Sequence, residues 1–405
     1  MATQSDSSGK YGERARLSPP FVHRPLEDAT SMIRLLKIQA EGSHLPLPIP
    51  VITLEHFPTG DRCPDYRCLS YTWGSPDPRQ QVLINERRFE IGPNLFDFLQ
   101  IFSARYPSEC EDYIWIDQLC IDQSNVSERT QQVSMMNTIY SEAKEVAVWL
   151  GPSANGSDSV MKAIRGCSEL GNMGGRFGLM SRGLKLKIHH KKLDALLRRP
   201  YWDRLWIVQE IVLAKALGIY CGDSRCSAAD FERIVSGIRQ YGYGDSKGRF
   251  QNAHPLTTRW RGTITRGNVN EPSMDLSYAI ATFASQQCHD PRDKIFGLAG
   301  MMKPGERLPI DYSWTVEEVF AAACARLADR LLQGTGSNFG TLFALEVLGK
   351  EAGKIAEQRE TMRKLAGHIQ RVRHFDKSLD TWDPSLEVRE QVKELLDAVQ
   401  DELPE

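Results

Sequence analysis

The sequence predicts an α/β fold: a parallel sheet flanked by helices, carrying a β-hairpin insertion and a mainly helical C-terminal extension. Three observations carry this. Residues 66–222 read strand, helix, strand, helix, strand, helix, strand, and such alternation argues for a parallel sheet covered on both faces. "YIWID" (113–117) and "EVAVWLG" (145–151) are short, nearly unbroken apolar runs, as strands buried on both faces are. The chain has 405 residues, 41% of them hydrophobic and 25% charged, enough for a full-sized core.

Taken in order, residues 1–28 read as a disordered tail. "MATQSDSSGKYGERARLSPP" is polar and offers no apolar segment for a secretory signal. A core region of residues 29–222 follows. "MIRLLKI" (32–38) reads as a strand, and "LPLPIPVITLEHF" gives another after a Pro-rich lead. "YRCLSY" (66–71) is a short strand that stops at the turn cluster "TWGSPDP". "QVLINERRFEIG" (81–92) places Asn85-Glu86 between two alternating arms and predicts a β-hairpin. The spacing of Leu95, Phe98, Leu99 and Phe102 predicts a helix over 94–106, with Asn94 as its cap. Val133, Met136, Ile139, Tyr140 and Ala143 share one face of a helix over 127–143. Two further helices are expected at 191–199 and 201–214, then a strand at "LGIYCG" (217–222).

Residues 223–335 read as a mainly helical continuation. The clearest helix is "DYSWTVEEVFAAACARLADRLL", where Thr315 and Glu318 form a capping box. Residues 336–405 form a charged helical C-terminal segment.

Composition narrows the function classes. The net charge is −2, so no global basic field gathers nucleic acid. The run "SRGLKLKIHHKKLDALLRR" (181–199) is locally basic. It reads as a solvated helix face, with phosphate binding as the alternative. No stretch of about 18 apolar residues is present to span a membrane. Nine cysteines without a C-x-x-C pair suit buried thiols in a reducing, cytoplasmic setting. Cys63/Cys68 and Cys221/Cys226 form two C-x4-C pairs, a loose zinc spacing set against cysteine's ordinary role as a small hydrophobe; no metal is expected.

Ligands of open parallel sheets bind beyond the carboxyl ends of the strands. Those ends are "SYTWG" (70–74), "IDQLCIDQ" (116–123) and "LGPS" (150–153). Trp202, Trp206 and Glu210 recur at i, i+4 and i+8, along one stripe if the segment is a helix. A carboxylate held against indole faces is stripped of water. It can steady an oxocarbenium-like sugar cation or hold ribose hydroxyls. The plainer reading is that the tryptophans are core and Glu210 leans out to Arg204, Lys215 or water. Asp117 and Asp122 flank "QLCI". Asp122, with Asn125, caps the next helix, whereas Asp117 is either a site carboxylate or a partner for loop amides. "GNMGGRFG" (171–178) lacks a preceding buried strand and reads as a loop rather than a phosphate cradle. Cys120 follows a strand end with no histidine near it, which gives a thiol nucleophile no support. No G-x-S-x-G, Walker A or H-E-x-x-H motif occurs.

Three blocks resemble the signature blocks of the fungal heterokaryon incompatibility (HET) domain: "YRCLSYTWGSPDP", "YIWIDQLCIDQSNVSERTQQVSMMNTIYSEAKEVAVWLGPS" and "LLRRPYWDRLWIVQEIVLAKALGIYCGD". "DPRDKIFGLAGM" (290–301) and "IDYSWTVEEVF" (310–320) resemble two downstream stretches, so the likeness covers roughly residues 31–330. The resemblance implies a role in fungal nonself recognition that ends in cell death. HET domains are distantly similar to Toll-type (TIR) domains, which have a flavodoxin-like sheet and several of which cleave NAD. By that likeness "RLWIVQEI" matches a W-x-x-x-E pattern, which makes Glu210 the catalytic candidate with Trp206 beside it. Ser70, Tyr71, Trp73 and Gly74 would line the substrate cleft with Asp117 nearby, and Trp73 or Tyr71 would stack on a ring. NAD or a related nucleotide is then substrate, and no resident cofactor is implied. Self-association and an incompatibility partner protein are also implied. The alternatives are a non-enzymatic death-signalling or interaction module, and a nucleotide sensor. The hairpin at 81–92 has no TIR counterpart.

Overall fold

The computed structural model describes residues 17–40, 49–169, 191–233, 274–283 and 286–333, with 341, 344, 345, 347–350 and 397. The chain divides into two compact units. Met1–Trp202 with Glu210–Val269 form the first, and Asp203–Gln209 with Asn270–Glu405 the second.

In the first unit, nine strands share one sheet: β1 (Met32–Ile38), β2 (Val51–Pro58), β3 (Tyr66–Tyr71), β4 (Gln80–Ile84), β5 (Arg87–Ile91), β6 (Tyr113–Trp115), β7 (Glu145–Trp149), β8 (Leu217–Cys221) and β9 (Ser224–Ser227). Their order is β5-β4-β2-β1-β6-β3-β7-β8-β9. The four strands β6, β3, β7 and β8 are parallel. Every residue of β7 and β8 is buried, which is why their sequences are apolar without alternation.

The α/β class is as expected, but the sheet is mixed rather than parallel throughout. β1 runs antiparallel to both β2 and β6. The hairpin forms at β4–β5, with Asn85 and Glu86 at φ 49° and 64°, the left-handed pair that a two-residue hairpin turn needs. It does not stand apart from the sheet: β4 pairs parallel with β2, so the hairpin forms one edge. At the other edge β9 lies in a region expected to be helical. Cys221 pairs with Ser224 across a Gly222-Asp223 turn, a hairpin signal that the short arms concealed.

Helix α1 (Pro93–Arg105) buries Leu95, Phe98, Leu99 and Phe102, as the spacing predicts. Its cap is Gly92, not Asn94, because Pro93 takes the first helical position for which its ring is suited. The helix expected over 127–143 is two, α3 (Val126–Ser134) and α4 (Met136–Glu142), and a single-turn helix α2 (Asp117–Cys120) precedes them. Helix α5 spans Ser157–Glu169, and residues 191–197 form α6.

The continuous helix expected over 201–214 is absent. Pro200–Asp203 is a 3-10 turn, and α7 covers only Ile207–Val212. Between them the Leu205 N–H donates to the Gln287 carbonyl at 2.8 Å, and the Gln287 N–H to Asp203 at 2.5 Å. These long-range bonds replace the i→i−4 ladder, so Trp202, Trp206 and Glu210 share no helical stripe.

Residues 17–28, expected to belong to the tail, are described from Leu17 onward. Phe21 donates its N–H to Arg88 of β5 at 2.8 Å, and His23 Nε2 lies 2.8 Å from the Leu119 carbonyl. In the second unit α8 (Leu276–Phe283), α9 (Asp293–Ala299) and α10 (Val316–Gln333) are helical. The expected capping box is present: Glu318 donates its N–H to Thr315 Oγ1 at 3.2 Å and accepts the Thr315 N–H at 2.5 Å. The glycine-rich run 171–178, residues 181–190 of the basic run and nearly all of 350–403 lie outside the described residues. Among the described residues no helix is long and apolar enough to cross a membrane.

The chain leaving β3 runs to β4, on the β6 side of the sheet, and that leaving β7 reaches β8 on the other side. The reversal falls between β3 and β7, at the switch point where open α/β sheets form a crevice.

Candidate functional site

β3 delivers Ser70 and Tyr71 to the carboxyl end of the sheet, with Thr72, Trp73 and Gly74 in the loop beyond it. Successive residues of a strand face opposite sides, so Ser70 and Tyr71 serve different neighbourhoods.

On one side, Ser70 donates its hydroxyl proton to Glu210 Oε2 and lies 2.7 Å from the Tyr201 hydroxyl. Ser70 is 0% exposed and Glu210 2%. An ionised carboxylate only accepts, so the order is Tyr201 to Ser70 to Glu210. The reading in which Glu210 leans out to solvent is therefore corrected: its carboxylate is inside. Lys215, offered as its partner, donates instead to the Glu142 carbonyl at 2.9 Å.

On the other side, the Tyr71 hydroxyl donates to Gln118 Oε1 at 2.9 Å. Trp73 donates its indole N–H to Asp117 Oδ2 at 2.8 Å, and the other Asp117 oxygen accepts the Gln118 N–H at 2.7 Å. Asp117 thus joins the β3 and β6 ends while also satisfying an amide in the first turn of α2. Of the two aromatic rings expected to stack on a ligand, Trp73 is 41% exposed and Tyr71 only 1%. Gly74 has φ 71°, a left-handed turn suited to glycine.

The structure thus brings Ser70 to Glu210, and Trp73 to Asp117. It does not gather the expected residues into one cluster. Trp206 falls in the second unit, where its indole N–H donates to Asp293 Oδ2 at 3.0 Å. The Tyr312 hydroxyl donates to the other oxygen at 2.7 Å. Burial pushes the Asp293 carboxyl up to about 6 despite these donors. Trp202, in the first unit, stacks on Phe231 with ring centroids 5.3 Å apart.

Asp122 accepts the N–H and hydroxyl of Ser124 at 3.1 and 2.6 Å, and Asn125 caps α3 by accepting from Glu128 N–H at 3.1 Å. Asn125 is the cap that was expected, whereas Asp122 closes the turn before it and does not cap the helix. Cys120 is fully buried, and desolvation pushes its thiol up to about 12, which makes it a poor nucleophile. Among the described residues no group of three or more His, Cys, Asp or Glu side chains is placed to hold a metal ion.

Sequence reasoning missed several contributors. Asn94 spans the switch point: its amide donates to the Thr72 carbonyl at 2.5 Å and its oxygen accepts the Trp149 indole N–H at 3.0 Å. Its place in the turn sequence "GPN" made it look like a cap. Arg199 Nη1 donates to the Leu150 carbonyl at 2.5 Å, beside Gly151 at φ 95°. Arg34 is a hub behind the site. It forms a two-pronged ion pair with Glu128, and donates to the Cys120 and Arg24 carbonyls at 2.9 and 2.6 Å. A lone arginine in "MIRLLKI" carries no such signal.

A family model described as heterokaryon incompatibility protein (HET) matches residues 66–210, from the first residue of β3 to Glu210. Heterokaryon incompatibility protein 6, OR allele, from Neurospora crassa is 25% identical over 324 residues, covering 67% of this chain and 48% of that protein. The chain thus spans about half the length of that curated relative. No solved structure matches the chain.

Proposed function

Residues 66–210 match the HET family model, and from that match we propose that the protein is an effector of fungal nonself recognition and cell death that hydrolyses the nicotinamide–ribose bond of NAD. The observation that carries the reading is Glu210. It is a buried carboxylate next to the carboxyl end of a parallel strand, holding a hydroxyl proton from Ser70. A group placed to accept from a serine hydroxyl is suited to accept from a ribose hydroxyl in its stead.

In the reaction the C1′–N bond breaks, and its electron pair leaves with neutral nicotinamide. Water adds at C1′ and releases a proton, giving ADP-ribose. Glu210 supplies the negative charge that steadies the cation at C1′, a charge that acts more strongly in a site shielded from water. Trp73, the exposed ring at the sheet end, stacks on a base, and Asp117 fixes its indole. NAD is the substrate, and no resident cofactor enters. The TIR likeness, self-association of the chain and a separate incompatibility partner belong to the same reading.

One observation favours a second reading. Glu210 is 2% exposed and already hydrogen-bonded, as a structural carboxylate in a non-enzymatic interaction module would be. Expression of the full chain in a fungal host separates the two. Wild type is expected to arrest growth with a fall in cellular NAD, and Glu210→Gln, made at equal level, to do neither. Arrest by both variants at constant NAD would support the interaction module.

A further inference from the structure

We propose that the switch point between β3 and β7 is a seat for a phosphate group, held by Arg199 and Thr72. The loops that leave these two strands meet there. Tyr71 pairs with Trp149 at the last rung, so Thr72 and Leu150 are the first residues beyond it. Asn94 ties the two together through the Thr72 carbonyl and the Trp149 indole. Arg199 arrives from the segment after α6 and bonds the Leu150 carbonyl with Nη1 alone.

Two polar atoms are left over. Arg199 Nη2 and Thr72 Oγ1 are both shut off from solvent, and neither has a hydrogen-bond partner. A buried donor without an acceptor is costly, and a guanidinium nitrogen more so, which makes such atoms rare unless a ligand satisfies them. Among the described residues no carboxylate pairs with Arg199, whereas Arg34, Arg67, Arg225 and Arg292 each have one. Gly151 packs closely against the guanidinium. A Cβ there would lie 3.3 Å from Arg199 Nη1 and 3.6 Å from Asn94 Oδ1, and its φ of 95° already favours glycine.

The ligand class follows from the donors. A planar guanidinium fork and a hydroxyl match a tetrahedral anion with several acceptor oxygens. The site lies where open α/β sheets take up ligands. Arg199 ends the basic run of 181–199, for which phosphate binding was the alternative to a solvated face. The phosphate belongs either to a dinucleotide or to a free anion; choosing the pyrophosphate of NAD rests on the reading of the preceding section, and the seat itself does not.

Calorimetric titration of the full chain tests this, using ADP-ribose, adenosine and inorganic pyrophosphate as probes. The variants are Arg199→Lys, Arg199→Gln and Thr72→Val, each checked for an unchanged circular dichroism spectrum. ADP-ribose binding is expected to weaken tenfold or more in Arg199→Gln and about threefold in Thr72→Val, with adenosine unmoved. Arg199→Lys keeps the charge but not the fork and should fall between. Binding of pyrophosphate alone, with the same dependence on Arg199, would support the seat and name a free phosphate as its ligand. Equal affinity for ADP-ribose in wild type and in folded Arg199→Gln would overturn the proposal, as would no phosphate probe binding to wild type. Arg199-dependent binding without NAD hydrolysis would leave the seat standing and sink the hydrolase. NAD hydrolysis with binding indifferent to Arg199 would do the reverse.

Discussion

At the scale of single residues, the Ser70–Glu210 bond has consequences for stability as well as chemistry. Both groups are buried, so removing the hydroxyl leaves a carboxylate oxygen short of a donor. Ser70→Ala is expected to lower the unfolding free energy by about 1–3 kcal/mol, read by urea denaturation. A change within about 0.5 kcal/mol, the range of an ordinary surface substitution, would mean that the bond is not made in solution. Asp293 gives a pH prediction of its own. Its carboxyl is raised to about 6 by burial, above the value of 3.8 for a free aspartate. A raised value means that the fold prefers the neutral form. Its contribution to stability is therefore complete below pH 3.8 and is lost as pH rises through about 6. Asp293→Asn, which stays neutral, should gain stability relative to wild type between pH 5 and pH 8, followed by thermal melting across that range. A difference that does not change with pH would contradict this account of the buried carboxyl. The sequence showed Glu210 as a residue out of place in an apolar run, but not which way it pointed. Its partner Ser70 is 140 positions away, and nothing local to either residue encodes the pair.

At the scale of elements, what was legible in the sequence was what depends on near neighbours. The apolar runs of β3, β6 and β7, the Asn85-Glu86 turn, the buried face of α1 and the Thr315–Glu318 box all follow from spacing or from local hydrogen bonds. What was hidden depends on distant backbone. The break before α7 is set by Gln287, and β1 joins the parallel strands through its pairing with β6. The Arg34–Glu128 pair is the clearest case of one element holding several others. Arg34 on β1 reaches Glu128 on α3 and the last carbonyl of α2, while Glu128 accepts the Asp122 N–H at 2.8 Å. These contacts fix the segment that begins with Asp117. Arg34 holds the Glu128 carboxyl below its ordinary value, although burial alone would raise it. Glu128→Ala leaves Arg34 buried and unpaired and is expected to cost about 3–5 kcal/mol. Chemical denaturation checks this, and a loss below about 1 kcal/mol would show that Arg34 finds another partner.

At the scale of the whole molecule, the region matched by the family does not coincide with the folding unit. Residues 66–210 hold β3 through β7, but the sheet also contains β1, β2, β8 and β9. Without β1 the hairpin edge loses its link to β6, because β2 and β1 stand between them. Without β8 the wholly buried β7 becomes an edge strand. A fragment of residues 66–210 is therefore expected to lack a cooperative thermal transition, whereas the full chain shows one. A cooperative transition in the fragment would place the stability of the fold within the matched region alone. The strand-end rule singled out the carboxyl ends of β3, β6 and β7, where Ser70, Trp73 and Asp117 stand. Which of those strand-end side chains face each other was set by the strand order, which no local pattern reports.

The central claim is that Glu210 is buried beside Ser70 in order to act on a ribose. The direct measurement is nicotinamide release from NAD by the purified full chain at high protein concentration, wild type against Glu210→Gln, with both variants shown to be folded. The account predicts nicotinamide and ADP-ribose in equal amounts from wild type, and a loss of at least a hundredfold in Glu210→Gln, since the substitution keeps the shape and removes the charge. Equal rates from the two variants, or no release from folded wild type, would contradict it.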